Sequence, residues 1–244
     1  MTRFFSSAIS ENDDHFILTG HDAAHITNSL RMKPEEQLII CNHVIGIDFL
    51  CAIISTSNTA IKVKVLKHKK SYTEPSIKVT LFQAMPKADK FESIVQKSVE
   101  LGVKTIVPVM TRRCISRPDN DSMSKKIVRF NRIAYEAACQ SSRSIIPKVH
   151  PMITFDNMIN EFVNFDLVLF FYENGGKPLT SLDFKGKKEI AVVIGPEGGF
   201  DEMEFHLVNR VGAAISTLGP RILRTETAPI CALSAIMCLT GNLE

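Results

Sequence analysis

The chain has 244 residues, 45% hydrophobic and 23% charged, the balance of a folded domain protein and not of a disordered or fibrous chain. A formal net charge of +3 exerts no global pull on a polyanion, so any nucleic-acid surface must come from local clusters of lysine and arginine. The six cysteines and seven histidines form no C-x-x-C pair and no metal-like spacing, which leaves no metal site to expect.

Up to about Lys70 the pattern is short and strand-like. Arg3 to Ile9, Phe16 to Thr19, Gln37 to Cys41, Ile47 to Ser55 and Ala60 to Leu66 are rich in β-branched and aromatic residues, which predicts strands. His21 to Arg31 carries Ala24, Ile26 and Leu30 at helical intervals and stops before Pro34, which predicts one helix. A small β-barrel-like module results. The polar stretch Ser71 to Ser76 marks a boundary, giving domains over residues 1–72 and 73–244.

Beyond it, apolar strands alternate with amphipathic helices, the signature of an α/β domain with a largely parallel sheet. Strands are expected near Ile77 to Gln83, Thr105 to Val109, Asp166 to Phe171, Glu189 to Ile194 and Ala214 to Leu218. The runs at 167–171 and 190–194 are continuously apolar, as in strands covered on both faces. Helices are expected near Ala88 to Leu101, Met123 to Ser141, Asp156 to Val163, Glu202 to Val211 and Ala228 to Leu239. The first has an apolar face of Phe91, Ile94, Val95 and Ser98. The last is apolar nearly all round, which predicts burial on two surfaces, its own sheet and a second subunit. It is too short to span a bilayer, and Met1 to Ser10 lacks the makeup of a signal peptide, so a cytoplasmic protein with reduced thiols and no membrane partner is expected.

Two loops carry chemistry. Ile194-Gly195-Pro196-Glu197-Gly198-Gly199-Phe200 follows a buried strand at its carboxyl end, where α/β sheets bind ligands, and its glycines allow close backbone approach. Leu218-Gly219-Pro220-Arg221-Ile222-Leu223-Arg224-Thr225-Glu226-Thr227 follows the next strand in the same way. Thr227 and Pro229 read as a cap and first turn of the final helix, but capping gives no reason for Arg224 and Glu226. Neither loop is G-x-G-x-x-G after a first strand or a P-loop, and no G-x-S-x-G or H-E-x-x-H occurs, which disfavours dinucleotide, P-loop, serine-hydrolase and zinc-protease chemistry.

These loops, taken with Lys90-Phe91-Glu92 through Gln96-Lys97-Ser98-Val99-Glu100-Leu101-Gly102, resemble the RsmE family of ribosomal RNA methyltransferases. The likeness spans nearly the whole chain and includes Arg3-Phe4-Phe5, His25 to Arg31, and Glu136 to Arg143. In the last stretch Cys139 and Ser142 replace the family's usual acidic residue and glycine. The resemblance implies a PUA-like barrel followed by a SPOUT-type knotted parallel-sheet domain that binds S-adenosyl-L-methionine and forms a homodimer. It further implies methylation of uridine N3 in 16S (small-subunit) ribosomal RNA, with the assembled small subunit as partner.

On that reading, backbone from Ile194 to Gly199 (Ile194, Gly195, Pro196, Glu197, Gly198, Gly199) and Leu218, Gly219, Ile222, Leu223 and Thr227 bind the cofactor. Tyr172 and Glu173 form a third wall. Uracil N3 must lose a proton as the methyl arrives, so Arg224 is the candidate to stabilise the developing anion, with Glu226 orienting it or aiding proton loss; a plain Arg224–Glu226 surface pair is the competing explanation. Arg3, His25, Arg31, Lys90, Arg112 and Arg113 are candidate RNA contacts. Basic clusters at Lys62, Lys64, Lys67, Lys69 and Lys70, and at Arg117, Lys125, Lys126, Arg129 and Arg132, supplement them. A non-catalytic RNA-binding ribosome assembly factor would need the clusters but not the loops, and cofactor binding separates it. An enzyme acting on small molecules with another nucleotide cofactor would need the loops but not the clusters, and RNA binding separates that one.

Overall fold

Alternation of β-branched residues with lysines and polar groups shapes the first part of the chain. In the computed structural model, which describes residues 1–244, Met1–Glu74 and Ala138–Ile146 form one unit, and Pro75–Ala137 with Pro147–Glu244 a second.

The first unit holds β1 (Arg3–Phe5), β2 (His15–Thr19), β3 (Gln37–Asn42), β4 (Ile47–Thr56) and β5 (Ala60–Lys70) in the order β1-β3-β4-β5-β2. Only β1–β3 is parallel. Register shifts between β4 and β5 at Leu50/Cys51 and Ile53/Ser55 add the local twist that curls a sheet around its core. Phe4, Leu38, Ile40, Phe49, Ile61 and Val63 fill that core, while Lys62 and Lys64 alternate outward, as the period of two requires.

Two expectations change here. The strand at Arg3 ends at Phe5. The single helix from His21 to Arg31 is instead a short α1 (Gly20–Ala24) running into a π-helical turn (His25–Ser29), closed by Leu30 N–H donating to the His25 carbonyl at 3.0 Å. Arg31 follows with φ of 53°, a left-handed backbone that ends any helix.

The unit's membership also differs from a simple cut at residue 72, because Ala138–Ile146 belongs to it. Arg3 donates through Nη1 and Nη2 to both Asp48 oxygens at 2.8 and 2.6 Å, and through Nη1 to the Arg143 carbonyl at 3.0 Å. Arg143 donates to Glu74 Oε2 at 2.6 Å, and the Ser144 N–H to Glu74 Oε1 at 2.8 Å. Charge-assisted pairs made by the buried guanidinium groups of Arg3 and Arg143 hold partners far apart in sequence.

The second unit is a parallel sheet with helices between strands. Its strands are β6 (Lys78–Ala84), β7 (Thr105–Met110), β8 (Lys148–Val149), β9 (Ile153–Thr154), β10 (Leu167–Phe171), β11 (Lys177–Pro178), β12 (Glu189–Ile194) and β13 (Ala214–Thr217). They lie in the order β11-β13-β10-β12-β6-β7-β8, with β9 also on β7, and every pairing is parallel. The five long strands fall where the sequence places them. The two-residue strands β8, β9 and β11 are too short to show any period.

The helices are α2 (Lys90–Glu100), α3 (Asn120–Gln140), α4 (Phe155–Glu161), α5 (Glu202–Arg210) and α6 (Ala228–Leu239). α2 buries Phe91, Ile94, Val95 and Ser98 as its pattern requires. α6 buries Pro229, Ala232, Leu233, Ile236 and Met237, yet leaves Cys231, Cys238 and Leu239 exposed. No helix is long and apolar enough to cross a membrane.

Candidate active site

Because β13, β10 and β12 are neighbours in the sheet, the loops at their carboxyl ends converge. They enclose a cavity of about 550 Å³ lined by Phe171 to Glu173, Ile194 to Gly199, Ser216 to Thr225, Ala228 and Lys90, within the usual size of small-molecule sites. Of the expected cofactor residues, Ile194, Gly195, Pro196, Glu197, Gly198, Gly199, Leu218, Gly219, Ile222, Leu223 and Tyr172 lie on its wall.

Thr227 does not. It is exposed and, contrary to the expected cap, its side chain makes no capping bond, since its own backbone is already helical. The threonine that matters is Thr225, which the sequence reading passed over. Its Oγ1 donates to the Gly195 carbonyl at 2.8 Å and accepts from Gln83 Nε2 at 3.2 Å. One hydroxyl thus ties both loops to the end of β6.

Gly195 leaves room for a ring. A Cβ there would stand 3.0 Å from Phe200, whose fully buried ring packs at 4.2 Å on Phe170. Gly199 has φ of +65°, and a Cβ there would fall 1.8 Å from Glu173 Oε1. The Glu173 carboxylate therefore lies on the bare backbone of the loop. Tyr172 is partly committed elsewhere, its ring stacked at 4.5 Å on Phe205 and its hydroxyl accepting from Asn174 at 3.1 Å.

The charged groups pair differently from expectation. Lys90, taken as an RNA contact, places Nζ 3.1 Å from Glu197 Oε1 and 3.1 Å from Glu226 Oε2. Glu197 also accepts from the Lys87 N–H at 3.1 Å. No Arg224–Glu226 pair forms; Arg224 is exposed on the cavity wall. Burial acts to raise the carboxyls of Glu197 and Glu226, but their backbone N–H bonds and Lys90 outweigh it and bring both below the usual carboxylate range. Hydrogen bonding to Glu197 and Glu226 holds Lys90 above the ordinary lysine range.

The other RNA candidates separate into two kinds. Arg3 is 4% exposed with its guanidinium spent on Asp48, so it supports the first unit and presents nothing to RNA. Arg113 donates to the Gly198 carbonyl at 3.1 Å and braces the glycine loop, while the Arg112 N–H donates to buried Glu204 of α5 at 2.8 Å. Arg112 Nη1 reaches Asp201 at 3.4 Å with its side chain half exposed. His25 and Arg31 are exposed. No group of three or more His, Cys, Asp or Glu is gathered to hold a metal.

Glycine loops at the carboxyl ends of β12 and β13, on either side of β10 in a parallel sheet, in a chain that also carries a small curled sheet, point to the RNA methyltransferases. Residues 73–237 match the RNA methyltransferase domain family and residues 18–66 the RNA methyltransferase PUA domain. The ribosomal RNA small subunit methyltransferase E of Bacillus subtilis is 34% identical, over 100% of this chain and 99% of its own length. That of Neisseria gonorrhoeae, solved bound to S-adenosyl methionine, is 29% identical with a TM-score of 0.89, covering 98% of both chains. A Legionella pneumophila protein solved with bound S-adenosylmethionine gives 30% and a TM-score of 0.90, covering 98% of this chain and 97% of that one. The chain belongs to the ribosomal RNA small subunit methyltransferase E family, a SPOUT-type fold.

Proposed function

We propose that this chain transfers a methyl group from S-adenosyl-L-methionine to N3 of a uridine in 16S ribosomal RNA, in the assembled small subunit. The observation that carries it is the cavity itself: two glycine loops, joined by Thr225, on three neighbouring strand ends. The missing side chains at Gly195 and Gly199 let the loop close on Phe200 and Glu173, which leaves its backbone on the cavity wall where a nucleoside can lie close to the chain, and the residues present fit that cofactor. The trefoil threading and the homodimer implied by the resemblance go with this reading.

When bound, S-adenosylmethionine supplies an electrophilic methyl on a sulfonium that departs as a neutral thioether. The protein's work is then orientation and charge. Backbone of 194–199 and 218–223 holds the nucleoside and shields it from water. Arg224, unpaired with Glu226 and free on the wall, faces the acceptor and offsets the negative charge that uracil gains as N3 loses its proton. Glu226, ionised and paired with Lys90, orients that lysine and is a weak base, its carboxyl being lowered. The proton therefore leaves to solvent or to RNA.

The test is incubation with methyl-labelled S-adenosylmethionine and small subunits lacking the modification, followed by mass spectrometry of the RNA. A single N3-methyluridine is expected. Label on another base, or transfer to naked RNA alone, overturns the acceptor or the assembled-subunit part; no transfer by protein that binds the cofactor overturns the rRNA assignment. Arg224→Ala should bind cofactor normally and lose methyl transfer by about 100-fold or more, the scale of one preorganised charge contact.

A further inference from the structure

Two carboxylates line this cavity, Glu173 and Glu197, and a third, Glu226, reaches the cavity-lining Lys90; they are not equivalent. Glu197 and Glu226 share the Lys90 ammonium. Glu173 has neither a hydrogen bond from the protein nor a cation, although it lines the cavity. It sits at the tip of a turn closed by the Gly175 N–H donating to the Tyr172 carbonyl. That turn follows β10, the strand between those that bear the two glycine loops. Its Oε1 would lie 1.8 Å from a Cβ on Gly199, so the missing side chain at 199 is what seats this carboxylate on the cavity floor.

We infer that Glu173 is a cofactor-specificity residue whose two oxygens accept hydrogen bonds from the vicinal ribose hydroxyls of the bound nucleoside. This rests on the cofactor reading above. An ionised carboxylate only accepts, with two oxygens side by side. A nucleoside held between the flanking loops offers one pair of donors with matching spacing, its 2′ and 3′ hydroxyls. The two other carboxylates already share the Lys90 ammonium, which leaves Glu173 as the carboxylate without a partner on the cavity wall.

The experiment is calorimetric titration of the full chain with S-adenosylhomocysteine, its 2′,3′-dideoxy analogue and S-adenosylmethionine, on the wild type, Glu173→Ala and Gly199→Ala. Glu173 is exposed, so its removal leaves the fold intact. The wild type should prefer the diol form by about 10- to 100-fold, the worth of hydrogen bonds to a charged group. Glu173→Ala should bind S-adenosylhomocysteine that much more weakly and show no preference between the two forms. Gly199→Ala, which expels the carboxylate, should lose the preference too. An unchanged preference in Glu173→Ala overturns the inference. A loss confined to S-adenosylmethionine, with the neutral ligands unaffected, overturns it in favour of a contact with the sulfonium. Failure of the wild type to bind any of the three overturns the cofactor reading and this inference with it.

Discussion

Lys90 shows how one side chain can do different work from what its exposure in sequence suggests. A lysine at the start of an amphipathic helix reads as a charge free to meet RNA, but this one bridges Glu197 on one cofactor loop and Glu226 on the other. Both carboxyls are lowered, so the contribution of this clasp is complete above the ordinary carboxylate range and is lost only as pH falls through the depressed values. The Lys90 value is raised, so its contribution is complete below the ordinary lysine range and is lost as pH rises through the raised value. Replacing Lys90 by methionine leaves burial opposed only by the backbone N–H bonds, so both carboxyls should rise from their lowered positions. The acid limb of cofactor binding should then move to higher pH, and affinity at neutral pH should fall by about two- to five-fold, a modest effect for a part-exposed pair. Calorimetry across a pH series reads both. An acid limb at the wild-type position would mean that the clasp does not govern the loops.

Among the elements, α5 shows what capping does for the site. Asp201 accepts from the Met203 N–H at 3.0 Å while Glu204 reaches back to the Asp201 N–H at 2.9 Å, a reciprocal cap directly after the glycine loop. Asp201→Ala should lower unfolding stability by about 1 kcal/mol in urea and weaken cofactor binding, since the loop feeds that helix start; unchanged stability would show the cap to be redundant. The long strands and amphipathic helices of this unit were legible because burial on both faces or on one imprints an apolar run or a period of 3.6. The π-helical turn at His25–Ser29 was not, because Ala24, Ile26 and Leu30 keep intervals that read as α-helical even where one turn takes an extra residue. Nor was Thr225, since a hydroxyl that ties loops together looks in sequence like the capping hydroxyl of Thr227 two positions on. α6 was half legible: its inner face is buried, but the outer face, with exposed Cys231, Cys238 and Leu239 and no charge along the helix, is left for the proposed homodimer. Ala235→Arg on that helix should convert a dimer to a monomer in sedimentation while leaving the circular dichroism unchanged; a persisting dimer would place the interface elsewhere.

At the scale of the whole molecule, a net charge of +3 hides how unevenly charge is distributed. β5 exposes Lys62, Lys64, Lys67, Lys69 and Lys70, while Ile61 and Val63 of the same strand are fully buried. None of these lysines forms an ion pair within the chain, whereas Arg3, Lys90 and Arg113, also basic and read from sequence as RNA contacts, are spent on internal partners. Sequence shows that a residue is cationic but not whether a carboxylate from a distant segment already holds it, and Asp48, Glu197 and the Gly198 carbonyl all lie far from their partners along the chain. The unpaired β5 lysines are therefore the better RNA candidates, because each can trade condensed counterions for phosphate contacts without breaking an internal bond. Changing Lys62, Lys64 and Lys67 together to glutamine keeps most of each aliphatic stem and removes the charge. If all three touch phosphate, the dependence of RNA affinity on salt should become shallower by about 2 to 3 in the slope of log K against log salt, with cofactor affinity unchanged. Parallel lines for the variant and the wild type would mean that β5 faces solvent in the complex, and would move the RNA footprint to the arginines and lysines between Arg112 and Arg132.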